Sequence, residues 1–278
     1  MKSKIKAYAK VNLFLDITGR LENGYHTLNT VMQQIDLYDE VTVEIQSGDR
    51  IFIECSNPNV PCNEKNIAYK AASAFMSAIG KTADISIKIK KNIPLEAGMG
   101  GSSTDGAAVL KALNQLYDNC FTTEELCSLG AKLGADVPFC IYGGSAICKG
   151  IGELITPVCC KKDYVIAIVK PDFSCSTPAG YKTYDESPVP INQDFDKFTE
   201  AMPLGSQYWA ERMYNVFEVL YNDIRIKKIT EEMKKSGSLG SILTGSGSAV
   251  FGIFADTETA SEALKNINAQ FKIITNPI

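Results

Sequence analysis

One stretch constrains this chain more than any other: Pro94, Leu95, Glu96, Ala97, Gly98, Met99, Gly100, Gly101, Ser102, Ser103 and Thr104 in succession. It runs straight into Ala107, Ala108, Leu110, Leu113 and Leu116, which are apolar positions at helical spacing. Glycines without Cβ atoms let a backbone close on an anion. The first turn of the following helix adds unpaired N–H groups and the positive end of its dipole. Ahead of the loop, Ile85, Ile87 and Ile89 alternate with Ser86, Lys88 and Lys90, the pattern of a strand. Strand, glycine loop and helix in that order predict a phosphate cradle. A flexible turn with a helix cap is the plainer alternative. Gly80-Lys81-Thr82 is not the end of a Walker loop, because Phe75 stands where that motif needs glycine. Gly80 instead predicts the stop of a helix carrying Ile67, Ala71, Ala74, Phe75 and Ala78.

Composition narrows the function classes. With 278 residues and 45% apolar side chains the chain can bury a sizeable core in one large or two ordinary domains. A net charge of −4, with no basic stripe, argues against nucleic acid as a partner. No run approaches the roughly 18 apolar residues of a membrane span, and Met1-Lys2 leads into a strand pattern without a signal-peptide core. The expectation is a cytoplasmic protein without a membrane partner. The nine cysteines are scattered, odd in number and free of Cys-x-x-Cys, so reduced thiols are expected rather than disulfides or a metal site. His26 is the only histidine, which excludes poly-histidine metal sites and leaves any Ser-His-Asp triad resting on one residue.

Residues 5–17 alternate so that Lys6, Tyr8, Lys10, Asn12, Phe14 and Asp16 share a strand face. A turn is predicted around Glu22-Asn23-Gly24, with strands following at Val41 to Ile45 and Ile51 to Ile53. Helices are predicted over about 64–79, 105–117 and 123–134, the last announced by a capping box from Thr122 to Glu125. From about residue 157 the order becomes strand 164–169, helices near 207–221 and 225–235, strands 241–244 and 249–254, helix 257–267 and strand 271–275. That is a ferredoxin-like order with one extra helix, so a second domain is placed at 157–278 after a first at 1–156. The proline-bearing segment 185–196 reads as an exposed loop.

Three further features join the glycine loop. Asp136 follows a helix ended by Gly134 and precedes Pro138, which would block any helical continuation. Thr244-Gly245-Ser246-Gly247-Ser248-Ala249 makes a tight turn between two strands, and Asn215 to Glu218 lie on a helix. In this order and spacing, over essentially the whole chain, these features resemble the GHMP kinase family. The resemblance rests on an early lysine strand, a Gly-x-Gly-Gly-Ser-Ser loop, an aspartate before Pro-Phe and a late Gly-Ser-Gly turn. It implies an α+β, two-domain GHMP kinase fold, with an N-terminal ribosomal protein S5 domain 2-like ATP domain and a C-terminal ferredoxin-like domain. Ala9 to Leu15, Gly19-Arg20 and Gly24-Tyr25-His26-Thr27-Leu28 are similar to members that phosphorylate a cytidine diphosphate-linked methylerythritol for non-mevalonate isoprenoid synthesis.

The resemblance carries roles onto residues. ATP would lie on Pro94 to Thr104, with Asn66 and Lys91 on the adenine side. Asp136 would take the proton of the acceptor hydroxyl while Lys10 holds Asp136 ionised and stabilises developing charge. Asn12 shares the Lys10 face as a substrate contact. Tyr25 would stack on cytosine and the His26 imidazole would donate and accept on the base edge, with Thr177 and Tyr181 forming a second wall. Mg²⁺ would bridge the phosphates with a Ser102 or Ser103 hydroxyl as ligand, and no carboxylate pair announces a metal site. Glu96 would point outward, Trp209 would serve packing, and the protein would be a monomer or weak homodimer. The alternatives are a GHMP kinase of homoserine or mevalonate type, or a non-catalytic nucleotide and sugar sensor. Retention of Lys10 and Asp136 argues against a sensor, and the aromatic pair around His26 argues against small acyclic substrates.

Overall fold

The structure, a computed structural model, describes residues 1–278. The elements follow in the order β1 (Lys2–Arg20), β2 (His26–Gln46), β3 (Ile51–Cys55), α1 (Ile67–Ile79), β4 (Asp84–Lys90), α2 (Gly101–Leu116), α3 (Thr123–Ala131) and α4 (Val137–Tyr142). After these come β5 (Ser145–Lys149), β6 (Leu154–Pro157), β7 (Val165–Lys170), α5 (Thr177–Glu186), α6 (Phe195–Ala201) and α7 (Ser206–Trp209). The chain closes with β8 (Tyr214–Asn215), α8 (Val216–Tyr221), α9 (Ile224–Lys235), β9 (Gly240–Leu243), β10 (Val250–Phe254), α10 (Thr257–Lys265) and β11 (Phe271–Thr275). No helix is long and apolar enough to cross a membrane. The nine cysteines are free thiols.

Two compact units emerge, and they are not the continuous halves 1–156 and 157–278 that the element order predicts. One comprises Met1–Ala9, Leu37–Ile93 and Gly100–Gly143; the other Lys10–Asp36, Pro94–Met99 and Gly144–Ile278. The cause is the length of β1 and β2, whose 19 and 21 residues pass through both units and pair with different strands in each. No composition change marks such a crossing.

In the first unit the strand order is β3-β4-β2-β1. β3 runs parallel to β4 with Ile51 opposite Ile85 and Ile53 opposite Ile87, and β4 is antiparallel to β2 with Ile89 opposite Val41. Branched aliphatic residues on this pleated surface bury Ile85, Ile87, Val41 and Val43 completely. α1 and α2 approach closely because Gly106 lies where a Cβ would sit 2.5 Å from the Ile67 side chain. α1 ends at Gly80 in the left-handed conformation, as its sequence predicts.

In the second unit β2 pairs with β5, β5 with β6, and β1 with the short parallel strand β8. A four-stranded antiparallel sheet of order β11-β7-β10-β9 has the ferredoxin-like topology expected from the sequence. Its core joins Val169, Phe217, Leu243, Val250 and Phe254 with Leu15 and Ile17 of β1. Trp209 is fully buried against Tyr164 and Phe198, the packing role expected of it.

Several local expectations are corrected. The single helix predicted over 207–221 is broken into α7, a 3-10 turn, β8 and α8, because Tyr214 and Asn215 pair with Phe14 and Leu15. Asn215 is therefore not a helical residue but the cap of α8. The exposed loop is shorter than 185–196, since α5 runs to Glu186 and α6 starts at Phe195. Pro138 does not block a helix. It sits in the first turn of α4, where a missing N–H is harmless and a fixed φ is favourable.

Candidate active site

The glycine loop opens α2 four residues earlier than the apolar pattern predicts, so Ser102, Ser103 and Thr104 form its first turn. Gly100 occupies the N-cap position with φ 71°, and no side chain caps the helix. The first-turn N–H groups thus lack the internal partner that a Ser, Thr, Asp or Asn cap supplies. They carry the helix's positive end without an acidic side chain in that turn. Thr104 is buried and anchors the turn by donating to the Tyr8 carbonyl at 2.7 Å, whereas Ser102 is exposed and Ser103 half-buried. These residues fit an anion, and the two hydroxyls fit a hard cation bound with it.

The loop's earlier part, Pro94–Met99, belongs to the second unit and is held there by backbone. A Cβ on Gly98 would stand 2.1 Å from the Thr244 carbonyl oxygen, and one on Gly245 would stand 2.7 Å from the Gly98 carbonyl oxygen. Ser248 and Ala249 donate their N–H groups to the carbonyls of Glu96 and Ala97, each at 3.3 Å. The late Gly-Ser-Gly turn thus clamps the approach to the cradle. Asn215 steadies that turn by donating to the Leu243 and Gly245 carbonyls at 2.8 and 2.9 Å. Glu96 is exposed, so its charge points outward as expected.

Lys10 and Asn12 alternate on β1 as predicted, both buried, with Lys10 Nζ donating to Asn12 Oδ1 at 2.6 Å. The Lys10 backbone N–H donates to the Met99 carbonyl at 3.1 Å, tying this strand to the loop. Asn12 is fully engaged: its N–H reaches Thr244 Oγ1 and its amide donates to Thr30 Oγ1. Asp136 belongs to the first unit, half-buried at the head of α4, where its side chain makes no capping bond. α4 is fixed at its other end by Lys111 Nζ, which donates to the Cys140 carbonyl at 3.0 Å. Burial lowers the Lys111 ammonium from its ordinary value.

Asn66 and Lys91, expected on the adenine side, both hold hydrogen-bond partners within the chain. Asn66 caps α1 by accepting from the Ala68 N–H at 2.8 Å while its amide donates to the Pro61 carbonyl at 2.8 Å. Lys91 Nζ bonds to Asp39 Oδ2 and, at 2.8 Å, to Asp105 Oδ2, with all three side chains at most 5% exposed. Burial would lower the Lys91 ammonium, but Asp105 and Asp39 override it and raise it. Burial, reinforced by the Asp39 charge and opposed by Lys91, pushes Asp105 up to about 7. Asp105 Oδ1 has no partner. Two carboxylates on one ammonium leave one of them short of a counter-charge, and a proton on Asp105 restores the balance.

Tyr25 presents a 60% exposed ring at the β1–β2 hairpin, open for stacking. His26 is buried, stacked on Tyr181 with centroids 4.8 Å apart and planes at 19°, so the expected edge reader packs on a residue of the expected second wall. Its Nε2 lies 2.7 Å from Asp185 Oδ1, so only one ring nitrogen remains for a base and the expected two-way reading is halved. Thr177 Oγ1 bonds to Ser246 Oγ at 2.6 Å, joining α5 to the Gly-Ser-Gly turn. Asp185, Asp39 and Asp105 were not marked by any motif. For Asp185 a signal existed: it stands four residues after Tyr181 on one helix face.

An uncapped glycine entry to a long helix, an aspartate heading α4 and a ferredoxin-like sheet are the features expected of a small-molecule kinase of the GHMP type. The family models for the GHMP kinases N terminal domain and the GHMP kinases C terminal match residues 66–144 and 192–273. The chain belongs to the GHMP kinase family. Its relatives include the 4-diphosphocytidyl-2-C-methyl-D-erythritol kinase of Clostridium beijerinckii, 43% identical over 272 residues covering 97% of each chain. The enzyme of that name from Clostridium perfringens is 40% identical, over 97% of this chain and 94% of its own. A crystal structure of 4-(cytidine 5'-diphospho)-2C-methyl-D-erythritol kinase superposes with a TM-score of 0.82 at 30% identity, covering 99% of both chains.

Proposed function

We propose that this chain is an ATP-dependent kinase acting on 4-diphosphocytidyl-2-C-methyl-D-erythritol, the substrate in its relatives' names. The acceptor is the C2 hydroxyl of the methylerythritol unit, in non-mevalonate isoprenoid precursor synthesis. The observation that carries the reading is the open end of α2, a helix of 16 residues whose glycine entry leaves its first-turn donors to a ligand.

Phosphoryl transfer asks the protein for positioning and charge rather than covalent chemistry. The N–H groups of Gly101, Ser102 and Ser103 hold phosphate oxygens. Asp136 accepts the hydroxyl proton as the oxygen bonds to the γ-phosphorus and the bond to the ADP oxygen breaks. Lys10, oriented by Asn12, supplies positive charge to the developing alkoxide and phosphoryl oxygens. Mg²⁺, when bound with ATP, neutralises phosphate charge, and Ser102 and Ser103 are the hydroxyls suited to hold it. Tyr25 and His26 recognise the cytosine. The enzyme works in the cytoplasm as a monomer or weak homodimer, without nucleic acid or membrane partners.

Phosphorus NMR tests this directly. Purified protein with ATP, Mg²⁺ and the cytidine substrate should give ADP and a new phosphomonoester resonance. Phosphorylation of homoserine or mevalonate instead, with this substrate untouched, overturns the assignment.

A further inference from the structure

We infer that Asp185 is the residue that makes the site choose cytosine over uracil, by fixing which nitrogen of His26 carries the proton. The inference rests on the cytosine-side reading of Tyr25 and His26 given above. Asp185 Oδ1 lies 2.7 Å from His26 Nε2, and Asp185 Oδ2 lies 3.3 Å from an Arg20 guanidinium nitrogen. An ionised carboxylate only accepts hydrogen bonds, so the short contact requires hydrogen on Nε2. In a neutral imidazole the other nitrogen, Nδ1, is then a bare acceptor.

The surroundings leave that acceptor to a ligand. The ring's hydrogen bond to the protein is made through Nε2 and its side chain is 6% exposed, while Tyr181 covers one face and Tyr184 meets it edge-on at 5.7 Å. The imidazole is therefore oriented on Nε2 and by its faces, which leaves Nδ1 to a ligand, and the preceding residue, Tyr25, exposes its ring. Cytosine presents a 4-amino donor, whereas the corresponding group of a uracil-type base is a 4-keto acceptor. A bare Nδ1 pairs with the first and faces the second lone pair to lone pair. Asp185 is thus a positioning residue that acts on specificity through His26.

The same geometry predicts what Asp185→Asn does. Arg20 can only donate, so the amide oxygen turns to it and the amide NH₂ faces Nε2. Nε2 must then be bare and Nδ1 must carry the hydrogen, which inverts the edge shown to the base. Because His26 is the only histidine, ¹⁵N labelling of histidine reports this one ring without overlap. The wild-type protein should show the Nε2–H tautomer, and Asp185→Asn the Nδ1–H tautomer. The ratio of kcat/KM for the cytidine substrate over its uridine analogue should fall by at least about tenfold, the scale of one net hydrogen bond. KM for ATP and the melting temperature serve as controls for folding. An Nδ1–H tautomer in the wild-type protein, or an unchanged base ratio in folded Asp185→Asn, overturns the role of Asp185. If His26→Ala keeps the full cytidine preference, the cytosine-reading assignment itself fails and this inference with it.

Discussion

Four helices of the first unit begin in two opposite ways. α1 and α3 are closed by their own side chains: Asn66 accepts from the Ala68 N–H, and Thr122 and Glu125 satisfy each other's backbone donors at 3.2 and 2.8 Å. α2 and α4 start at Gly100 and Asp136, and neither start carries a side-chain cap. A missing cap costs a helix about 1 kcal/mol. The two ends that go without are the ones beside the glycine loop and at the proposed base. Stability and chemistry are thus divided helix by helix, and the substitutions below test that division.

The largest effect is expected at the head of α4. Asp136→Asn keeps the shape and removes the base, so turnover should fall roughly 10²- to 10⁴-fold while ATP affinity changes little. Steady-state kinetics paired with calorimetry separates the two quantities. Near wild-type turnover would take Asp136 out of the mechanism.

Next is the open end of α2. Gly100 has φ 71°, a conformation aspartate tolerates better than most residues, so Gly100→Asp should fold. Its carboxylate would stand where phosphate is bound, and like-charge juxtaposition of several kcal/mol should weaken ATP at least about a hundredfold. Titration calorimetry gives the affinity and a melting curve the stability. A large stability loss with an equal loss of both ligands would instead mark Gly100 as a purely structural turn.

How much of this was legible in the sequence depends on how local the cause is. The capping box at Thr122, the stop at Gly80, the alternation that puts Lys10 beside Asn12 and the ferredoxin-like order are written in short-range patterns, and the structure keeps them. The run of glycines does not itself say which of them is strained: positive φ falls at Gly98 and Gly100, while Gly101 is already helical. What could not be read is set by distant partners. Lys91, placed on the adenine side by the resemblance, pairs inside the chain with Asp39 and Asp105, 52 and 14 residues away. His26 looked free on both ring nitrogens until Asp185, 159 residues on, took one. The break at 210–215 arises from pairing with β1, which no helical periodicity announces.

A pH effect sharpens the comparison inside α2. Asp105 lies one turn beyond the open end, and its folded value of about 7 stands above the ordinary 3.8. The folded protein therefore binds this proton more tightly than the unfolded chain. The stabilisation is complete below about pH 4 and is lost as pH rises through about 7. Asp105→Asn holds the group neutral at every pH, so the fall in melting temperature across that window should flatten. Parallel curves for the two proteins would show that the Lys91 triad stays charged throughout.

The smallest effects belong to the closed ends, where the comparison is most exposed to failure. Thr122→Ala removes one half of the α3 capping box and should cost about 1 kcal/mol, a melting temperature lower by about 2–4 °C, with ATP affinity and turnover unchanged. Asn66→Ala removes the α1 cap and leaves the Pro61 carbonyl without its amide donor, so its stability loss should equal or exceed that of Thr122→Ala. The informative quantity is ATP affinity in Asn66→Ala. With both polar groups of the side chain engaged inside the chain, the affinity should stay at the wild-type value. A weakening of ATP without a matching loss of stability would return Asn66 to the adenine site that the family resemblance implies, and α1 would then join α2 among the helices whose starts serve the ligand.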